Sequence, residues 1–284
     1  MIRVLLTGDY EHRQFGEAVE WMRRHTRLTV AAGRERALAL LAVCPEPVEL
    51  IVVAQSRPGQ IAESAFEALR RASPLARIVA LLGSWCDGLP RDGQAWPGVI
   101  RVAWHRWHLR APREFSRLES RSASSWQAPA TATEAEQFLF AAQLSSPGSE
   151  PNRRGLVVIS AADHAAYDAL ADTCVAAGFS CTWLAPHRPV HHSGVSAVLW
   201  DAAWFDESNE TELTELAARF RPAPVLALVG FPRYDDIPRA REAGASSVIA
   251  KPFLVDELYG ELDRVLNVCE NESPCVITPH SDAA

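Results

Sequence analysis

The chain has 284 residues, a formal net charge of −7, 48% hydrophobic and 22% charged residues, a globular composition with room for two domains that each bury a core. The acidic balance argues against a whole-protein nucleic-acid surface, and no apolar run approaches the roughly 18 residues that span a bilayer. The six cysteines, Cys44, Cys86, Cys174, Cys181, Cys269 and Cys275, are scattered without framework spacing, as expected of reduced thiols.

The first residues, Met1-Ile-Arg-Val-Leu-Leu-Thr-Gly8, read directly into a strand without the features of a signal peptide, so a cytoplasmic location is expected. A strand over 2–6 leads through Thr7-Gly8-Asp9 into a helix over 15–24, whose apolar positions Phe15, Val19 and Met22 share one face. A strand over 28–32 and a helix over 35–43 follow, ended by Pro45 and Pro47. The run 48–54 is apolar apart from Glu49, the pattern of a strand buried on both faces. A helix over 62–71 and strands over 77–82 and 99–103 complete a βαβ alternation, which specifies right-handed crossovers and a doubly wound, parallel α/β domain.

Between and after the last two strands lies a segment rich in Trp, His and Arg. It carries Trp85, Cys86, Trp96, Trp104, His105, Trp107 and His108. Cys86 and His105 leave neighbouring strand ends, so a thiol–imidazole nucleophile, or a metal site with His108, is one reading. The alternative is a partner surface built on Trp85, Cys86, Trp104, His105 and Trp107, since Trp and Arg are enriched at interfaces. A third is a stacking contact with single-stranded nucleic acid through 101–113.

From 111 to 154 the composition shifts to Ser, Ala, Pro, Thr and Glu. This stretch reads as a linker with flexible pieces at 116–125 and 145–151 and a helix over 134–144. The outline of the first half then repeats. Strands are expected over 155–159, 180–184, 196–201, 224–230 and 247–250. Helices are expected over 165–177, closed by Gly178, and over 210–220, 238–244 and 255–266. The domains are therefore 1–110, a linker 111–154, 155–267, and a disordered polar tail over 268–284. His191-His192 in the loop after 184, His164, and the tail residues Cys269, Cys275 and His280 lack the companions a metal site needs.

The stretch 240–258 sets an alanine-rich helix, Gly-Ala, a strand, Lys251-Pro-Phe and an acidic helix start in sequence. It resembles the end pattern of the receiver domain of bacterial response regulators, and the similarity extends over 155–266. The loop Ser56-Arg57-Pro58-Gly59 and the stretch 32–38 give the first half a fainter resemblance. The resemblance implies two flavodoxin-like receiver domains in tandem. It implies that Asp201 holds the phosphoacceptor position and that Lys251, the only lysine among 28 Lys and Arg residues, holds the position that contacts the acceptor or its phosphoryl group. The charge chemistry is sound, because one ammonium facing one carboxylate forms a charge-assisted pair.

Both copies depart from the family pattern. In the first, Ala54 stands at the acceptor position, Leu82 replaces the strand-four hydroxyl, and Asp9 alone remains of the acidic pocket. In the second, Ser160 and Ala161 replace the acidic pair, Asp163 is displaced, and Val229 replaces the hydroxyl. Without carboxylates to hold it, Mg²⁺ is not expected as a cofactor, and no other cofactor or metal is. The expected role is non-enzymatic two-component or phosphorelay signalling through protein–protein contacts with a histidine kinase or another regulator, with phosphorylation absent or vestigial. An enzyme or small-ligand binder using Cys86 and His105 is the rival. Neither membrane nor nucleic-acid binding is expected, and the oligomeric state is open.

Overall fold

The computed structural model describes all residues except 45, 87–95, 97, 130, 133–135, 137–153, 186–193 and 273–284, and side chains as far as 267. The chain divides into two compact units, one of Met1–Gly148 with Phe231–Asp235 and Leu254–Glu257, the other of Ser149–Gly230 with Asp236–Phe253 and Leu258–Ala284.

The first unit is built on strands β1 (Arg3–Gly8), β2 (Arg27–Ala31), β3 (Leu50–Gln55), β4 (Arg77–Leu82) and β5 (Val99–Ala103). They form one parallel sheet in the order β2-β1-β3-β4-β5. All of β3 is buried, as its unbroken apolar run requires of a central strand with helices on both faces. Helices α1 (Gly16–His25), α2 (Arg34–Val43) and α3 (Glu63–Ala72) are the crossovers. On α3 the buried Ala65, Phe66 and Leu69 form one stripe. Gly8, at φ +90°, ends β1 so close to β3 that a Cβ there would lie 2.2 Å from Ala54 O, and only glycine meets both demands.

The first unit runs past the boundary expected at 110. Helix α4 (Trp107–Glu119) crosses it, burying Trp107, Leu109, Ala111, Glu114 and Phe115. The next turn of chain is held down by a buried carboxylate. Glu114 Oε2 accepts from Ser124 Oγ at 2.5 Å and from Trp126 N at 3.4 Å. Trp126 is thereby fully buried, packed on Phe115 and Trp107. The flexible piece expected over 116–125 is thus helix and packed turn, because α4 and Trp126 share one aromatic core with Trp21 of α1. The helix expected over 134–144 lies, apart from residue 136, outside the described residues, as does the piece at 145–151.

The second unit repeats the plan with β6 (Leu156–Ser160), β7 (Ser180–Trp183), β8 (Val195–Ala202), β9 (Val225–Gly230) and β10 (Ser247–Lys251), and with helices α5 (His164–Ala176), α6 (Glu207–Phe220), α7 (Asp236–Glu242) and α8 (Val255–Glu272). Its sheet is also parallel, in the equivalent order β10-β9-β8-β6-β7. Asp206 caps α6 through Asn209 N, and Leu213, Leu216, Ala217 and Phe220 form its buried stripe. Among the described residues no helix lies between β7 and β8, where the first unit has α2. Helix α8 continues to Glu272, past the boundary expected at 267, and 273–284 lie outside the described residues.

Candidate functional site

Strand register makes the two units comparable residue by residue. Gly8 pairs with Ala54 and Gln55 with Leu82 in the first unit, while Ser160 pairs with Trp200, Ala202 with Val229 and Lys251 with Gly230 in the second. The glycines that follow β4 and end β9 are also equivalent. A Cβ on Gly83 would meet Ser56, and one on Gly230 would meet Ala203 O. On this register Ala54 matches Asp201, Asp9 matches Ala162, Leu82 matches Val229, and the residue just past β5, Trp104, matches Lys251.

In the second unit the carboxyl edge of the sheet carries an ion pair. Lys251 Nζ donates to Asp201 Oδ1 at 2.6 Å, with the lysine side chain 28% and the aspartate 15% exposed. The Lys251–Pro252 peptide is cis. Beside Asp201 a cavity of about 950 Å³ opens, lined among others by Ser160, Leu184, Trp204, Asn209 and Arg219. It lies where the strand order reverses between β6 and β8, the crevice in which doubly wound sheets place their ligands.

The remaining pocket candidates are placed elsewhere. Asp163 is the N-cap of α5, its Oδ1 accepting from Ala166 N at 2.8 Å. That is a structural correction to its expected place in the pocket, and the cause is local: a helix start claims the nearest short carboxylate. Val229 is buried within β9. Ser160 does line the cavity, and it brings no negative charge. Around Asp201 the edge of the sheet therefore offers Ser160, Ala161 and Ala162 where a metal pocket would need carboxylates.

The first unit carries no charge pair at the matching positions, since Ala54 and Trp104 cannot form one. Asp9 is held by neutral partners: Ser56 Oγ donates to its Oδ2, and Gln60 Nε2 lies 3.4 Å away. Gln14 Nε2 donates to Ser84 Oγ at 2.5 Å while Ser84 N donates to Gln14 Oε1 at 3.1 Å. These hydrogen bonds tie together the loops at this edge of the first sheet.

The aromatic segment is largely interior. Trp107 and Cys86 are buried, Trp104 and His105 nearly so, while Trp85 is 72% exposed. Of the five side chains expected to form a partner surface only Trp85 is exposed, because a core of this size consumes its large apolar side chains first. The two groups of the thiol–imidazole reading, Cys86 and His105, are both interior. Cys86 Sγ lies 3.5 Å from Gln55 O, with Gln55 Nε2 3.8 Å from the sulfur. Burial, reinforced by the charges of Arg106 and His108, pushes the His105 imidazole down to about 3, so it is neutral at ordinary pH. Among the described residues no three His, Cys, Asp or Glu side chains form a group that could hold a metal ion. His191, His192, Cys275 and His280 lie outside the described residues, as does the side chain of Cys269.

Two arginines of 101–113 are largely interior. Arg106 and Arg110 are each 15% exposed. Arg110 Nη1 donates to Arg101 O at 3.2 Å, and Arg101 lies over the Trp96 ring at 5.5 Å.

No model of a known protein family matches the chain, and no curated protein matches it. Among solved structures, full-length FixJ from B. japonicum is similar at 24% identity and a TM-score of 0.33, over 42% of this chain and 61% of its own length, less than two thirds. Two response regulator/GGDEF domain proteins of two-component systems are similar at 12% and 14% identity, each with a TM-score of 0.34 over 94% of this chain and 99% of its own. Tagatose-6-phosphate ketose/aldose isomerase from Escherichia coli is similar at 15% identity and a TM-score of 0.26, over 99% of this chain and 87% of its own. Likeness this distant extends over signalling regulators and an isomerase alike. Among the described residues no helix is long and apolar enough to cross a membrane.

Proposed function

We propose that the chain is a signalling protein made of two degenerate receiver-like domains, which acts through protein–protein contacts with a histidine kinase or another regulator rather than by phosphotransfer. The observation that carries this reading is the Lys251–Asp201 pair at the carboxyl edge of β10 and β8, at 2.6 Å, beside a β6 edge that bears Ser160, Ala161 and Ala162. A phosphoryl group arriving on a carboxylate needs a metal to neutralise the charge that develops. With the acidic positions taken by Ser and Ala, Asp201 has an ammonium to balance its own charge, and among the described residues no group of three acidic, His or Cys side chains stands ready to recruit Mg²⁺. The pair then works as an interstrand tie that shapes the edge a partner reads. In the first domain Ala54 removes the acceptor altogether.

The reading is tested by incubating the full chain with a small-molecule phosphodonor and Mg²⁺ and recording the intact mass. No phosphoryl increment is expected. An increment that disappears in Asp201→Ala overturns the reading and makes the second domain a working receiver.

A further inference from the structure

Cys174 and Cys181 are seven residues apart, one near the end of α5 and the other second in β7. The turn between them brings them together. Gly178, at φ +89°, closes the helix, Phe179 N donates to Cys174 O at 3.1 Å, and Ser180 N donates to Gly155 O at 2.9 Å to start β7 beside β6. Residue 181 therefore folds back over the last turns of α5. Its Sγ donates to Ala171 O at 3.9 Å, one helical turn before Cys174 on the same helix, and the two thiols are near enough to shift each other's ionisation. Both are free thiols; Cys174 is fully buried and Cys181 partly exposed. Among the described residues no third His, Cys, Asp or Glu completes a metal-ion group with them.

From this juxtaposition we propose that Cys174 and Cys181 form a reversible redox site that takes a small-molecule disulfide as oxidant and closes an intrachain disulfide between α5 and β7. The two thiols have separate roles. The Cys181 thiolate, reachable from solvent, attacks one sulfur of R–S–S–R, breaking that bond. A mixed disulfide forms and RS⁻ leaves, taking up the proton that Cys181 gave. Cys174 then loses its proton and attacks the Cys181 sulfur, and the second RS⁻ departs with that proton. Two protein thiols become one disulfide, and one R–S–S–R becomes two RSH.

The environment favours this order. The hydrogen bond from Cys174 holds the Cys181 thiol below its ordinary range, which raises the fraction present as nucleophile. That same bond first, then burial, then the charge on Cys181, push Cys174 up. Once Cys181 is capped by the mixed disulfide its charge is gone, and Cys174 can ionise against an adjacent sulfur. Cys44, exposed and with its Sγ donating to Glu46 O at 3.0 Å, is an internal reference for reaction with the oxidant.

The test exposes the folded full chain to oxidised glutathione and maps its peptides by mass spectrometry without reduction. The wild type is expected to yield a cross-linked 174–181 peptide that dithiothreitol reverses, with neither residue left as a glutathionyl adduct and with a Tm higher in the oxidised form. Cys174→Ser should stop at a stable glutathionyl adduct on residue 181, and Cys181→Ser should leave Cys174 unmodified. If Cys174→Ser fails to fold, Cys174→Ala serves in its place. The proposal is overturned if the wild type shows no 174–181 cross-link at oxidant concentrations that fully modify Cys44, or if an adduct on Cys181 persists in the wild type unresolved.

Discussion

Lys251 reaches past a strand to find its partner. Its Nζ donates to Asp201 Oδ1 at 2.6 Å, yet β10 and β8 are separated in the sheet by β9, so the pair ties together the carboxyl ends of two strands that share no ladder. With side chains 28% and 15% exposed, it sits between the surface regime, where ion pairs contribute little, and the buried regime, where removing one partner is costly.

Asp201→Asn and Lys251→Met are each expected to destabilise the second domain by about 1–3 kcal/mol, the cost of leaving a half-buried charge unmatched. The double variant should lose less than the sum. Urea unfolding of the four proteins measures the coupling, and strictly additive losses would show that the two charges do not feel each other. Lys251→Arg should weaken the domain too, because a planar fork cannot take the place of a compact ammonium.

The first domain should depend on residues beyond 110. Trp126→Ala is expected to cost about 3–5 kcal/mol, since the indole is fully buried against Phe115 and Trp107. Glu114→Ala should act in the same direction by releasing Ser124 and Trp126 N. A fragment ending at 110 that melts as cooperatively as the whole domain would refute the extended boundary.

His105 should make the first domain acid-sensitive. Its folded value, about 3, lies below the ordinary 6.5, so between those two pH values the unfolded chain binds a proton that the native chain does not. Stability therefore falls as pH falls through that window, by up to about 1.4 kcal/mol per pH unit for this group. His105→Gln removes the titration, and its unfolding free energy should decline less steeply between pH 6.5 and 3. Parallel pH profiles for the two proteins would exclude His105 as the cause.

Gly8→Ala should destabilise the first domain by about 1–3 kcal/mol from the backbone conformation alone. The contact of the new Cβ, 2.2 Å from Ala54 O, adds to that. Chemical denaturation gives the value, and a neutral effect would mean that β1 can shift away from β3 without penalty.

What was legible in the sequence follows from periodicity. The unbroken apolar strands, the 3.6-residue spacing of α3 and α6 and the glycine stops are local signals, and they were enough for two parallel α/β domains and for most element positions. The resemblance around Lys251 pointed at a partner fifty positions away in sequence, and the structure sets the two groups at hydrogen-bond distance. Composition misled at 111–128. Pro112 lies inside α4 and serine dominates the turn after it, yet the segment is pinned by Glu114, a carboxylate whose burial no local pattern announces.

The sequence by itself determined the alternation of strands and helices and the repeated parallel α/β plan, because each depends on residue identity at a spacing set by the backbone. Only the tertiary structure decided that Asp163 caps a helix, that Cys86, Trp104, His105 and Trp107 are interior, and that Cys174 meets Cys181. Those outcomes depend on which groups distant in sequence compete for the same buried space and the same hydrogen bonds, and that competition is resolved when the sheets and helices pack.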